Sequence, residues 1–346
     1  MSTTEAIIIT QFGGPEVLTM GTAPLAELSE NDVLVNNYAT GINPVDFKAR
    51  KGMDPNEVID PANPVVLGWD GAGVVEKVGS AVKHLAVGDE VYYAGNLKKP
   101  GSYARKTVVD ARMVALKPKS LTFEEASTIP LVAETCHEAL VEGMHVEAGK
   151  TLLLYNGAGG VGSFSIQYAK ALGLTVIATA SRPETIAFVK ELGADFVINH
   201  REKDLAAELD KAGAPRPDYV FDLCDNIRLP ELLKLLRPMG AVALLWMIDQ
   251  KTASSIDWTD LFFLRKTIVH EIMFARAMTG IELEKQGALL EAVAKFIDQG
   301  KVKHVLQQTF PWDQVKDAHT LQESGKVMGK LALSIDAEKS KTKGEA

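Results

Sequence analysis

The sequence predicts an α/β chain of two domains: a doubly wound parallel sheet, inserted within a mainly β domain built from both chain ends. Three observations carry this. From Lys150 onward, short apolar strands alternate with helical patterns, which implies parallel strands joined by helical crossovers. The first third holds short apolar or alternating runs punctuated by Gly and Pro turns, the texture of a partly open β-barrel. Strand-like segments also return near the C-terminus. A length of 346 residues is comfortable for two domains.

In order, Ala6–Ile9, Asp32–Tyr38, Gly71–Val78 and Glu90–Tyr93 read as strands, separated by turns at Gly13-Gly14-Pro15, Gly79-Ser80 and Gly88-Asp89. Phe123–Ala126 and Thr135–Glu142 read as helix. Thr151–Asn156, Thr175–Ala180, Phe196–Ile198, Tyr219–Leu223 and Ala241–Trp246 are near-continuous apolar strands, as expected where both sheet faces are covered. Between them lie helices at Val161–Leu172, Glu184–Leu192, Asp204–Lys211 and Leu229–Leu236. Glu282–Gln299 is amphipathic at helical spacing, and Gln307–Phe310 and Lys330–Ile335 read as strands rejoining the first domain. The tail after Asp336 is charged and aperiodic, so disorder is expected there.

Composition excludes several function classes. Hydrophobic residues make up 46% and charged residues 24%, enough for a large core. A net charge of −8 argues against general nucleic-acid binding. The longer apolar runs, such as Ala241–Met247, are strand-sized, so no membrane association is expected. Two cysteines, Cys136 and Cys224, and an N-terminus without a basic start or long apolar stretch suit a cytoplasmic protein.

Gly157-Ala158-Gly159-Gly160-Val161-Gly162 fits G-x-G-x-x-G between an apolar strand and an apolar helix. The first Gly permits the tight turn, the second lets the backbone approach a pyrophosphate, and the last lets strand and helix pack. The helix N-terminus offers N–H groups and positive dipole to the anion. Dinucleotide binding follows. After the next strand an NAD site usually offers an acid to the ribose hydroxyls. This chain has Ser181-Arg182-Pro183-Glu184 instead, which suits a 2′-phosphate and therefore NADPH. Ser181 reads equally as a helix N-cap with Glu184 completing a capping box, and Arg182 as a solvated surface residue. His200, ending the following strand, either joins this patch or is simply exposed.

Asn43-Pro44-Val45-Asp46, Leu67-Gly68-Trp69-Asp70-Gly71-Ala72-Gly73, Val87-Gly88-Asp89-Glu90-Val91, Gly101-Ser102-Tyr103-Ala104, the Gly157–Gly162 turn and Gly329-Lys330-Leu331 follow one another along the chain. In that order they resemble the medium-chain dehydrogenase/reductase superfamily, in its zinc-independent quinone oxidoreductase (zeta-crystallin-like) branch. The texture is most similar to the zinc-type alcohol dehydrogenase-like subgroup. The resemblance implies a GroES-like catalytic domain at 1–128 and 276–346, a Rossmann NADP-binding domain at 129–275, and a homodimer joined through the sheets around Ala241–Phe274. It puts Asn43 near nicotinamide and substrate, although Asn before Pro44 is also an ordinary turn residue. Lys48 is a candidate donor to the substrate oxygen or a surface lysine, and Asp46 braces the segment. Thr135 opens a helix facing the nicotinamide, or only caps it. Asn226 falls near the ribose, Trp246, Met247, Phe274 and Arg276 near the carboxamide, and Lys330 near the phosphates.

Zinc members of the superfamily carry Cys at the start of the Asn43 segment and Gly-His-Glu where this chain has Gly68-Trp69-Asp70. A catalytic zinc needs three protein ligands, and Trp is not one. Two cysteines cannot build a four-Cys structural lobe either, so no metal is expected. Adjacent Cys136 and His137, on a helix, do not share a face. The expected activity is NADPH-dependent hydride transfer to a quinone or an α,β-unsaturated carbonyl. Relatives acting on quinones often carry Tyr near the Lys48 and Asp54 positions, and this chain does not. The alternatives are a zinc-dependent alcohol dehydrogenase and a non-catalytic NADPH-binding protein.

Overall fold

The computed structural model describes residues 2–53, 58–224 and 228–343. The chain opens with β1 (Thr3–Ile9), β2 (Thr19–Pro24), β3 (Asp32–Ile42), α1 (Pro44–Lys51), β4 (Val65–Val66), β5 (Asp70–Val78), β6 (Glu90–Ala94), β7 (Lys106–Asp110) and β8 (Val114–Leu116). Then come α2 (Phe123–Ala126), α3 (Pro130–His137), β9 (Thr151–Tyr155), α4 (Gly160–Ala171), β10 (Thr175–Thr179), α5 (Pro183–Glu191), β11 (Phe196–Ile198) and α6 (Leu205–Ala212). They are followed by β12 (Tyr219–Asp222), α7 (Leu229–Leu235), β13 (Ala241–Leu244), α8 (Gln250–Ser254), α9 (Trp258–Phe263) and β14 (Thr267–His270). The chain closes with α10 (Phe274–Thr279), α11 (Glu284–Asp298), β15 (Leu306–Pro311), α12 (Val315–Glu323) and β16 (Lys330–Ser334).

Two compact units result. The first comprises Met1–Glu134, Phe274–Gly300 and His304–Ala346. Its main sheet runs β15-β16-β3-β5-β6-β8, with β7 also on β3, beside a smaller β2-β1-β4 sheet. The long β3 organises the unit, and register decides what it brings together. Leu331 of β16 pairs with Ile42, and Ala72 of β5 with Ala39. The C-terminal end of β3 therefore lies between the N-terminal ends of its two neighbours. Asn43, Asp70 and Lys330 meet there.

The second unit comprises Thr135–Met273 with Lys301–Lys303. Its sheet is parallel, in the order β11-β10-β9-β12-β13-β14. Leu152, Leu153, Leu154, Val176, Ile177, Val220 and Val242 are fully buried, each burial contributing roughly 1.5–3 kcal/mol before chain entropy is counted. The strand order reverses beside β9, and in open α/β sheets ligands bind beyond the strand C-termini at such a point.

The structure differs from the sequence reading in several places. The unit boundary lies inside α3, later than residue 129, because the Leu131 N–H bonds to Asp70 and Glu134 to Gln286, all in the first unit. Phe274 accordingly belongs to the first unit rather than to the nucleotide-type one. Helix α3 starts at Pro130 and passes into a π-helical turn at Glu138–Gly143. The tail is not disordered to its described end. Ser340 is fully buried, bonds to Ser334 and Glu124, and holds a 3₁₀ turn at Lys339–Lys341, while Lys343 bridges to Thr122. A few tertiary contacts order a segment whose composition shows no period.

Candidate active site

In the second unit the turn after β9 has the geometry its glycines imply. A Cβ on Gly162 would lie 2.6 Å from the Gly157 carbonyl oxygen, so the crossing of turn and helix requires glycine. At Gly159, the N-cap of α4, a Cβ would meet nothing within 4 Å and φ is −75°. The fold does not require glycine at 159, whereas a phosphate approaching the backbone does. Ala158 and Val161 complete the turn, and Gly160 opens the first helical turn, whose N–H groups have no intrahelical partners. These residues fit a dinucleotide diphosphate.

Beyond β10 the N-cap of α5 is Arg182, not Ser181. Pro183 takes the first helical position, where its missing N–H is harmless. The Arg182 N–H bonds to Thr185 (3.1 Å), and its guanidinium reaches Glu184 at 2.6 Å. The box expected between Ser181 and Glu184 does not form, and Ser181 stands outside the helix. His200 is half-buried rather than exposed. Its Nδ1 lies 3.0 Å from Thr179 Oγ1, and its ring is 5.8 Å from that of Tyr155. Burial, and then the positive field of Arg201, with Arg228 and Arg182 adding, hold its pKa below the ordinary imidazole value. Arg182 and Arg201 thus bring positive charge beside the neutral hydrogen-bonding groups of Ser181 and His200, a neighbourhood suited to an anion. Sequence reasoning missed Arg201 and Arg228, which lack any motif and converge only through the fold.

In the first unit Asn43 is the N-cap of α1, and its main-chain N–H donates to Asp46 Oδ2 (2.8 Å). Its amide makes no cap. Nδ2 donates to Asp70 Oδ2 (2.7 Å), and Oδ1 accepts from the Lys330 ammonium. Because an ammonium only donates, the amide orientation is fixed. Lys330 Nζ also lies 3.0 Å from Asp70 Oδ2, and both side chains are buried. Asp70 Oδ1 accepts from the Leu131 N–H (2.8 Å). Lys330, expected near the cofactor phosphates, is bound to Asp70 and Asn43.

A second chain of buried groups holds Asp46. Tyr103 Oη donates to Asp46 Oδ2 (2.8 Å) and lies 3.1 Å from His319 Nε2, and Arg50 Nη1 lies 3.0 Å from His319 Nδ1. A guanidinium has no acceptor, so Nδ1 is the accepting nitrogen and Nε2 carries the proton. Arg50 also pairs with Glu323. Burial pushes the Asp46 carboxyl up to about 7, against the pull of the Asn43 N–H and Tyr103. Burial, and next the Arg50 charge, push His319 down to about 3.

The remaining expected site residues are divided between the two units. Lys48 is half-buried on α1. Thr135 is buried at the start of the second unit, Trp246 and Met247 are exposed after β13, and Arg276 on α10 lies 3.5 Å from Glu282 in the first unit. Asn226 lies outside the described residues.

Comparison with known proteins agrees with this architecture. Residues 29–119 match the alcohol dehydrogenase GroES-like domain and residues 160–295 the zinc-binding dehydrogenase family. A zinc-type alcohol dehydrogenase-like protein of Staphylococcus aureus is 34% identical over 316 residues, 88% of this chain and 91% of that one. The chain belongs to the medium-chain dehydrogenase/reductase superfamily. Its relatives within that superfamily include the chloroplastic NADPH-dependent alkenal/one oxidoreductase of Arabidopsis thaliana, 33% identical over 95% of this chain and 79% of that one. Among solved structures, Escherichia coli quinone oxidoreductase complexed with NADPH superposes with a TM-score of 0.82 at 26% identity, covering 96% of this chain and 100% of that one.

The family description raises the question of zinc, and the residues of this dehydrogenase/reductase do not fit one. Where zinc members carry Cys, His and Glu, Asn43 accepts from an ammonium, Trp69 donates its indole N–H to the Asn96 carbonyl (3.1 Å), and Asp70 carries Lys330. Among the described residues no group of three His, Cys, Asp or Glu could hold a metal ion. Among them, too, no helix is long and apolar enough to cross a membrane.

Proposed function

We propose that this oxidoreductase reduces α,β-unsaturated carbonyls or quinones with NADPH and without a metal. The observation that carries the reading is the buried Lys330–Asp70–Asn43 cluster, where an ammonium stands among the positions that hold ligands in zinc members. Two relatives described as NADPH-linked support it: one an alkenal/one oxidoreductase, the other a quinone oxidoreductase.

NADPH, when bound, supplies the hydride. The Gly157–Gly162 turn and the α4 N-terminus hold its diphosphate. Ser181, Arg182, His200 and Arg201 meet its 2′-phosphate, and a multi-donor guanidinium suits that dianion. On the substrate side the Asn43 amide is held in one orientation, and Asn43 and Lys48 are the candidate donors to the substrate oxygen. A preset donor lowers the barrier by stabilising charge where it develops. Hydride addition to the electrophilic carbon leaves a negative charge on that oxygen, and a solvent proton completes the reduction. Strand β14 is the outer strand of the parallel sheet, with Thr267 and His270 exposed. An open edge of this kind pairs with a second copy, giving a homodimer.

The test is NADPH and NADH oxidation against a panel of enones, quinones and aldehydes, with alcohols tested in the reverse direction. Turnover of an enone or quinone, faster with NADPH than NADH, is expected. No oxidation with any acceptor would establish a binding protein instead, and turnover of alcohols alone would overturn the reductase reading.

A further inference from the structure

The loop after β11 carries His200 and Arg201, and one side chain from the start of α7 holds it. Arg228 Nη1 donates to the carbonyls of His200 and Glu202 (both 2.8 Å), and Nη2 donates to Lys203 (2.9 Å). Its Nε donates to Glu231 Oε2 at 2.6 Å. The other carboxylate oxygen of Glu231 accepts from the Leu205 N–H (2.9 Å), at the first residue of α6. One ion pair therefore grips the carbonyls of three loop residues, on both sides of Arg201, and the helix that follows them. The Arg228 side chain is 19% exposed and that of Glu231 29% exposed. Carbonyl oxygens at fixed spacing match the rigid fork of a guanidinium, which a lysine ammonium cannot reproduce.

The loop needs such a grip because it has little else. Within it Asn199 accepts from the Arg201 N–H and donates to Glu202, both local contacts. What the grip places is specific. His200 is set on Tyr155 and on Thr179, the last residue of the neighbouring strand, which leads directly into Ala180, Ser181 and Arg182. Arg201 is exposed and has no ion-pair partner among the described residues, in contrast to Arg182, which pairs with Glu184. The charge of Arg228 is matched by Glu231, so it acts through the loop and is not itself the anion ligand.

We infer that Arg228, braced by Glu231, is a positioning residue for nucleotide selectivity, holding His200 and Arg201 beside Ser181 and Arg182 so that the 2′-phosphomonoester of NADPH meets preset guanidinium charge and hydrogen-bonding groups. The inference rests on the proposed NADPH reading. Without the clamp, the loop must be ordered on binding, and that cost falls on the ligand that uses the loop.

The experiment measures dissociation constants for NADPH and NADH by fluorescence titration of the wild type, Arg228→Gln, Arg228→Lys and Glu231→Gln. In Arg228→Gln the NADH-to-NADPH ratio should fall about tenfold, the scale of one hydrogen bond to a charged group. Arg228→Lys should not restore it. Glu231→Gln keeps the cation and weakens only its brace, so a smaller fall in the same ratio is expected. It also carries the test should the Arg228 variants fail to fold. Equal weakening of both nucleotides would show a merely structural role and overturn the inference. A wild-type preference that survives both substitutions would overturn it while leaving the NADPH reading intact. A wild type that does not prefer NADPH would remove the reading on which it rests.

Discussion

At Gly162 a methyl group would press on the Gly157 backbone, whereas at Gly159 it would meet only open space. Those two glycines therefore separate folding from binding. Gly162→Ala should destabilise the protein by about 1–3 kcal/mol, the usual cost of overpacking. Gly159→Ala should leave the melting temperature within a degree or two yet raise the NADPH dissociation constant, because the methyl would stand where the proposed reading puts the diphosphate. Thermal melts and NADPH titration of both variants check this, and equal melts with equal affinities would contradict it. The buried Lys330–Asp70 pair gives a second residue-scale prediction. Lys330→Met leaves a fully buried carboxylate without its cation, at a cost of about 3–5 kcal/mol. Adding Asp70→Asn should recover much of that loss in urea unfolding, since the uncompensated charge is then gone. A double variant no better than the single one would show that the pair is not what Lys330 stabilises.

At the scale of elements, α12 docks through His319 onto Arg50 of α1 and onto Tyr103. A histidine near 3 when folded and about 6.5 when unfolded binds more protons unfolded, so its stabilisation is present above about 6.5 and is lost as pH falls towards 3. Between pH 7 and pH 5 the advantage of wild type over His319→Gln should shrink by up to about 2 kcal/mol. Asp46 runs the opposite way. Its raised pKa gives stability present below about 4 and lost as pH rises towards 7, a contribution common to both proteins that cancels in the difference. Urea unfolding of both proteins at the two pH values is the measurement, and a pH-independent difference would refute a buried neutral His319. The legible elements were those with a local signature. β9, β10, β12 and β13 are buried on both faces and read as apolar runs. β7 and β8 are short, and α12 places a buried polar histidine on its apolar face, so neither shows a clear period. The same distinction governs the site. Gly157–Gly162 is a chain-local motif, whereas Asp70 and Lys330 are 260 residues apart and only strand register brings them together.

At the scale of the whole molecule, the open edge of β14 predicts a dimer of twice the 37.4 kDa chain by sedimentation, and a concentration-independent monomer would contradict it. The superfamily includes zinc-binding dehydrogenases, and at the positions in question this member has an amide (Asn43), an indole (Trp69) and a carboxylate (Asp70) already paired with the Lys330 ammonium. Hydride transfer to an already electrophilic carbon does not need a Lewis acid in the way alcohol oxidation does. The most direct measurement is elemental analysis of the purified protein together with NADPH-dependent enone and quinone reduction before and after exhaustive chelation. Substoichiometric zinc and undiminished activity are expected. Stoichiometric zinc, with activity lost on chelation and restored by added zinc, would contradict it.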